Sequence, residues 1–199
     1  ENGEGDVTDT KRIGSIYIHS VTITKGHITV GDKIEQTVDE IFRQRVRRNH
    51  SSTHLIHESL RQLLGSHVSQ KGSLNNSERL RFDFSHDMPV TTDQTFLIEQ
   101  LANRYIRLNS AVVTETMPLE EAKKTGARAL FGEKYSEDVR VVKLGLEDGK
   151  YFSVELCGGL HVRSTGEIGL VKILGDTASS SGVRRIEAVT GNRAIQFIE

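Results

Sequence analysis

Two histidines stand four residues apart at His50 and His54, and about a hundred residues later Cys157 and His161 repeat that spacing. On a helix, positions i and i+4 share a face, so the imidazoles of the first pair can converge on one ion. Cys157 is the only cysteine in the chain. A lone thiol at ligand spacing from a histidine, in a sequence that already offers a histidine pair, points to one mixed nitrogen and sulfur zinc site. Such a site would oblige the fold to bring two distant segments together. The competing reading is that eight histidines produce a pair at this spacing by chance, and that these side chains are ordinary core or surface residues. Spacing alone leaves both readings open. His19, His27, His57 and His67 are read in the second way. Metalloprotease chemistry is excluded, because neither His50 nor His54 is followed by glutamate in an H-E-x-x-H pattern, and the inverted form is missing too.

Composition narrows the class. At 199 residues the chain can bury a substantial core as one medium domain or two small ones. No apolar run is long enough to span a membrane. The first residues, Glu1 to Asp9, are acidic and glycine-containing, unlike a signal peptide. One cysteine rules out an internal disulfide and fits a reducing compartment, here the cytoplasm. The formal net charge of −1 announces no nucleic-acid partner globally, but Arg43, Arg45, Arg47 and Arg48 crowd one stretch and Arg184 and Arg185 another.

Periodicity places these residues on elements. Residues 1 to about 10 read as disordered. From Ser15 to Val30 apolar residues largely alternate with polar ones and Lys25-Gly26 interrupts them, which predicts a hairpin. From about Val38 to Leu64 the positions of Ile41, Phe42, Val46, Leu60, Leu63 and Leu64 suit a long helix that Gly65 ends, with His50 and His54 in its middle. A strand is expected around Arg79–Phe84, a helix from about Thr92 to Leu108, a strand over Ala111–Thr116 and a short helix from Pro118 to Gly126. Further strands are expected around Val139–Leu144, Tyr151–Leu156, Leu170–Leu174 and Arg185–Val189, with Thr177–Gly182 as a mobile polar loop. Cys157-Gly158-Gly159 follows a strand, where a glycine turn lets backbone approach a ligand. Strands mixed with helices, without regular βαβ alternation, predict an α+β fold.

Six stretches carry a resemblance: His50-Ser-Ser-Thr-His54-Leu, Val68-Ser-Gln-Lys-Gly-Ser73, Leu80-Arg-Phe-Asp-Phe-Ser-His86, Ala129-Leu-Phe-Gly-Glu-Lys-Tyr135, Glu155-Leu-Cys-Gly-Gly159 and Gly182-Val-Arg-Arg-Ile-Glu-Ala-Val-Thr-Gly191. Together, and in this order, they closely resemble the editing domain of bacterial alanyl-tRNA synthetase, over about residues 38–199. Threonyl-tRNA synthetase editing domains and free-standing alanyl editing proteins share the histidine and cysteine–histidine motifs. Phe82-Asp-Phe84 with the 129–135 stretch favours the full synthetase. The resemblance implies an α+β editing-domain fold, with residues 1–40 as a partial, truncated N-terminal β-barrel segment and 41–199 as the zinc-containing deacylase domain. It implies that His50, His54, Cys157 and His161 bind zinc, and that the substrate is tRNA(Ala) whose acceptor end carries serine or glycine by mistake. It further implies aminoacylation and C-terminal domains as partners in the full-length enzyme.

Three departures stand out. Leu160 occupies a position where the family motif has threonine. The glycine- and glutamine-rich strand expected before the hairpin is missing, as in an excised fragment. Nothing resembles an adenylate-forming domain, so ligase activity is not expected. The rival readings are a free-standing deacylase and an inactive zinc-stabilised tRNA-binding module.

The chemistry follows from a discrimination problem. A pocket that fits alanine rejects glycine or serine only roughly 10²-fold, so a second site must read what the first cannot. Thr53, one residue before a ligand, offers a hydroxyl to the serine side chain, a role that the resemblance supports; the alternative is a back-bond to its own helix. Gln70 supplies a donor and an acceptor; the resemblance puts it in the pocket, whereas by itself it reads as a surface residue. The N–H groups of Gly158 and Gly159 are candidates for an oxyanion site. Four protein ligands would close the zinc site and make it structural, whereas three with a water would leave it catalytic. Asp83 and His86 are candidate supports of the pocket. Arg45, Arg48, Arg184 and Arg185 are candidate phosphate contacts, with a solvated helix face or strand edge as the alternative.

Overall fold

The computed structural model describes residues 3–129 and 135–199, so Leu130 to Lys134, most of the 129–135 motif, lie outside the described residues. The chain divides into two compact units, Glu1–Val38 and Asp39–Glu199. The first contains an antiparallel ribbon of β1 (Glu4–Ile13) and β2 (Ile16–Lys25). Its turn is Gly14-Ser15, not Lys25-Gly26 as alternation predicts, and the stretch read as disordered is largely β1. Ile13 pairs with Ile16, and Gly14 has φ 61°, the positive value that a tight two-residue hairpin loop requires at its first central position.

In the second unit, α1 (Glu40–Leu64) is the central element. Asp39 caps its N-terminus by accepting from the Phe42 amide, and Gly65 ends it at φ 122°. From Ser51 to Leu60 every residue is buried, so the helix is enclosed on all sides there rather than amphipathic. It packs against α2 (Thr92–Arg107) and against strands of both sheets. The capping box of Thr91 and Gln94 starts α2.

One sheet runs in the order β3 (Gln70–Asn75), β4 (Leu80–Ser85), β9 (Val183–Thr190), β8 (Val171–Ser180) and is antiparallel throughout. The other runs β5 (Val113–Pro118), β6 (Asp138–Glu147), β7 (Lys150–Leu156), also antiparallel. Short helices α3 (Leu119–Lys124) and α4 (Asn192–Ile198) complete the unit, with a 3-10 turn at Thr165–Ile168. Helices and antiparallel sheets without βαβ units make this an α+β arrangement. The Thr177–Gly182 segment, expected to be a mobile loop, is mostly strand: Thr177 pairs with Arg185 and Ser180 with Val183. Its polar, small composition hides a ladder made by backbone groups.

The main core joins Leu55, Ile56 and Leu60 of α1 to Ile98 and Ile106 of α2, Phe82 and Phe84 of β4, and Ile186 of β9. A smaller cluster of Ala122, Val139, Val141 and Leu156 lies between α3 and the second sheet. β6 serves both, since Val139 and Val141 face one cluster while Val142 and Leu144 face the other. Ile186 is fully buried on an inner strand. Ile186→Val is expected to lower the unfolding free energy by about 0.5–1.5 kcal/mol, read as a lower urea midpoint at unchanged slope.

Candidate metal centre

The α1 helix and the turn after β7 meet at one point. There the ligand atoms of His50, His54, Cys157 and His161 all lie within 4.8 Å of one another. The sulfur of Cys157 is 3.4 Å from His50 Nε2 and 3.3 Å from His161 Nε2. His54 shares the helix face of His50, their rings 5.4 Å apart and stacked. Its Nε2 is buried and, among the described residues, has no hydrogen-bond partner. An orphaned imidazole nitrogen beside a thiol and two further imidazoles is what a cation would satisfy, so these residues fit a bound metal ion.

The outer contacts of the imidazoles fix which nitrogen each one presents. His54 Nδ1 lies 2.8 Å from Glu155 Oε2, and His161 Nδ1 lies 3.2 Å from Ser51 Oγ. Glu155 is 2% exposed and sits on β7, two residues before Cys157 and on the same strand face. Its other oxygen lies 3.0 Å from His57 Nδ1, 3.2 Å from Arg128 Nη2 and 3.1 Å from Ser153 Oγ.

Electrostatics favour a cation here. Burial alone would push the Cys157 thiol up, but contacts with His161, His50 and His54 bring it down to about 3. Burial likewise opposes charge on His54, yet the Glu155 carboxylate and the sulfur override it and raise His54 to about 10. Burial also acts against the charge on Glu155, which His54 and His57 hold well below the usual carboxylate range. Burial leads the causes that lower His161, to about 4. A thiolate and a carboxylate flank His54, and a metal ion on its Nε2 would supply the positive charge that they call for.

Three of the four, His50, His54 and Cys157, line a cleft of about 380 Å³, which His161 does not reach. Thr53, Gln70, Ser73, Asp138, Arg140 and Gly158 line it together with His50, His54 and Cys157. Thr53 is 3% exposed; its hydroxyl donates to the Asn49 carbonyl, the back-bond that the sequence left open, and lies 2.7 Å from Asn75 Oδ1. Gln70 Nε2 lies 3.4 Å from Ser73 Oγ at the end of β3. Gly158 reaches the cleft, but the Gly159 N–H is directed at Cys157 Sγ, 3.5 Å away, and so is engaged by the sulfur instead of standing free for an oxyanion. Leu160 does not line the cleft and is 46% exposed.

Other predicted residues lie elsewhere. Asp83 accepts from Nε and Nη2 of Arg185, at 2.6 and 2.8 Å, and Arg184 pairs with Asp176. His86 Nδ1 lies 2.9 Å from His67 Nε2. None of these residues lines the cleft. Arg45 is exposed, whereas Arg48 packs against Gly191. Sequence reasoning passed over Arg140, whose guanidinium braces the carbonyls of Gly158 and Gly159 at 3.3 and 2.7 Å. It also missed Ser51, Arg128 and the contacts of Glu155. The signal for Glu155 was a carboxylate between Val154 and Leu156 in a strand run, two residues before Cys157.

Comparison with known proteins gives this arrangement its context. Residues 139–187 match the family described as "Threonyl and Alanyl tRNA synthetase second additional domain". Over its whole length the chain is 50% identical to an alanine--tRNA ligase of Ruegeria sp. (strain TM1040). The chain is homologous to a segment of alanine--tRNA ligase. Two more such ligases agree: that of Pseudoalteromonas translucida (strain TAC 125) is 50% identical over 98% of the chain, and that of Dinoroseobacter shibae (strain DSM 16493 / NCIMB 14021 / DFL 12) 48% over 99%. The chain spans 22–23% of the length of these ligases. Among its described residues no helix is long and apolar enough to cross a membrane.

Proposed function

We propose that residues 41–199 form the editing domain of an alanine--tRNA ligase, with residues 1–40 as part of its β-barrel. The reaction is hydrolysis of the ester in seryl- or glycyl-tRNA(Ala), in cytoplasmic quality control of translation. The observation that carries this reading is the shared lining of the cleft: Thr53 and Gln70 line it together with His50, His54 and Cys157, three of the four clustered residues. That group holds zinc in this reading. With four protein ligands zinc supplies structure and local positive charge, whereas an open position would let it polarise the ester carbonyl or bring a bound water towards ~7.

The side chains divide the remaining work. The Thr53 hydroxyl spends its proton on Asn49 or Asn75, leaving its oxygen to accept from the serine hydroxyl. Alanine brings no such donor and gains nothing, which is the discrimination that editing needs. The Gln70 amide orients the ester or the amino group, and Arg140 holds the 158–159 turn and adds positive charge to the cleft wall. In the hydrolysis the water oxygen bonds to the carbonyl carbon, the ester C–O bond breaks, and the ribose oxygen leaves with a proton. Arg45, Arg48, Arg184 and Arg185 are proposed phosphate contacts, the last two while already paired to carboxylates.

The test is deacylation of seryl-tRNA(Ala) and alanyl-tRNA(Ala) by the purified chain with its zinc content measured. Serine should be lost faster than alanine. Gln70→Ala should slow serine loss about tenfold, the worth of one or two hydrogen bonds in the transition state. No loss at full zinc occupancy would replace this reading with that of a metal-braced tRNA-binding module.

A further inference from the structure

Resting on the metal reading above, we propose that Glu155 is a positioning residue for the metal site, holding His54 in the ligating tautomer and neutralising the charge of the bound ion. Four groups converge on its carboxylate: His54, His57, Arg128 and Ser153. A carboxylate buried to this degree is retained only where its charge is met, and here the partners come from three separate parts of the chain.

Two consequences follow for His54. A hydrogen bond from Nδ1–H to Glu155 leaves Nε2 as the lone-pair nitrogen, and Nε2 has no hydrogen-bond partner among the described residues, beside the ligand atoms of Cys157 and His161. The contact also raises the basicity of the ring, as carboxylate partners of metal-bound histidines do. The charge balance points the same way. A divalent ion brings two positive charges and the Cys157 thiolate removes one. Glu155, at 2.8 Å from His54, stands where it meets the other; Arg128, 3.2 Å from Glu155, is in turn met at 2.6 Å by Glu58, which also lies 3.8 Å from Arg61. Without Glu155 the enclosed site would carry an uncompensated positive charge.

Arg128 extends the device to the backbone. Its amide donates to Val154 O and its carbonyl accepts from the Leu156 amide, so the residue runs along β7 with its side chain beside Glu155. The segment ending in Arg128 is thereby tied to the strand that leads into Cys157.

The experiment compares the intact chain with Glu155→Gln and Glu155→Ala by competition of Zn2+ against a chromophoric chelator. Co2+ spectra and nitrogen NMR of the His54 ring are read in parallel. Glutamine can still accept the His54 proton but carries no charge. It should weaken Zn2+ binding about 10- to 100-fold while keeping the Nδ1–H tautomer. Alanine should weaken it further and lose the fixed tautomer. Unfolding of each metal-free protein shows whether the fold survives, and the glutamine variant serves if alanine does not fold. Equal Zn2+ affinity of the parent and Glu155→Gln would overturn the proposal while leaving the metal site standing. Failure of the parent chain to bind Zn2+ at all would overturn both.

Discussion

Cys157→Ser is expected to abolish stoichiometric metal binding and, with it, the stabilisation that metal gives the fold. Serine is nearly isosteric but binds zinc poorly, because its hydroxyl stays protonated where the thiol of Cys157 is held as thiolate at about 3. Removing an outer partner of a metal ligand costs about 10–100-fold in affinity, so removing the only sulfur should cost more. The ion would join residues 107 positions apart, so a metal that binds the native state alone shifts the folding equilibrium towards it. At a hundredfold excess over its dissociation constant that shift is about 2.7 kcal/mol, or roughly 5–10 °C in Tm for a chain of this size. Thermal unfolding with and without Zn2+ should show this difference in the parent chain and none in Cys157→Ser. A metal-dependent shift that survives the substitution would show that the stabilising ion sits elsewhere. Zn2+ should also slow alkylation of Cys157, since coordination withdraws electron density from the sulfur and lowers its nucleophilicity.

The physics of individual elements decides what the sequence could reveal. α1 is readable because the 3.6-residue period, the Asp39 cap and the Gly65 stop agree with one another. β1 is not, because Glu4–Ile13 carries only two large apolar residues, Val7 and Ile13, and so shows no alternation. β3 escapes notice for a related reason, as Gln70–Asn75 has one large apolar residue among polar ones and owes its form to pairing with β4. The far half of β8, Thr177–Ser180, is small and largely polar and owes its form to pairing with β9.

The site divides along similar lines. The two ligand pairs are readable because each spacing of four is local, one on a helix and one across a turn. Those spacings already point to one shared centre but leave chance pairing open beside it, and the resemblance is what favours the shared centre. Glu155, Arg128 and Ser51 depend on which strand lies beside which helix, and no periodicity encodes that. The arginines are ambiguous for the opposite reason: a basic run in sequence says nothing about whether Asp83 or Asp176 waits across the sheet to pair with it.

The two glycines after Cys157 look interchangeable in sequence but should respond oppositely to substitution. A Cβ on Gly159 would fall 2.0 Å from His50 Cε1 and 2.5 Å from its Nδ1, whereas a Cβ on Gly158 would meet nothing within 4 Å. Neither glycine has positive φ, so alanine brings no backbone strain at either position, and any difference must come from the collision with His50. In Gly159→Ala the His50 ring has to swing away, carrying Nε2 off the point where it meets Cys157 and His161. Zn2+ affinity should fall at least as far as the 10- to 100-fold cost of an outer-shell loss, and serine deacylation should fall with it if metal and cleft act together. The unfolding free energy of the metal-free protein should change by less than about 1 kcal/mol, because a side chain that can rotate absorbs the clash. Gly158→Ala should bind Zn2+ like the parent. Its deacylation rate then reads a separate question, namely whether a methyl group at the cleft lining obstructs the substrate. Equal Zn2+ affinities for the two alanine variants would mean that His50 does not hold the position that makes it a ligand. A loss confined to Gly159→Ala would place the close approach of this turn to α1 among the requirements of the metal centre.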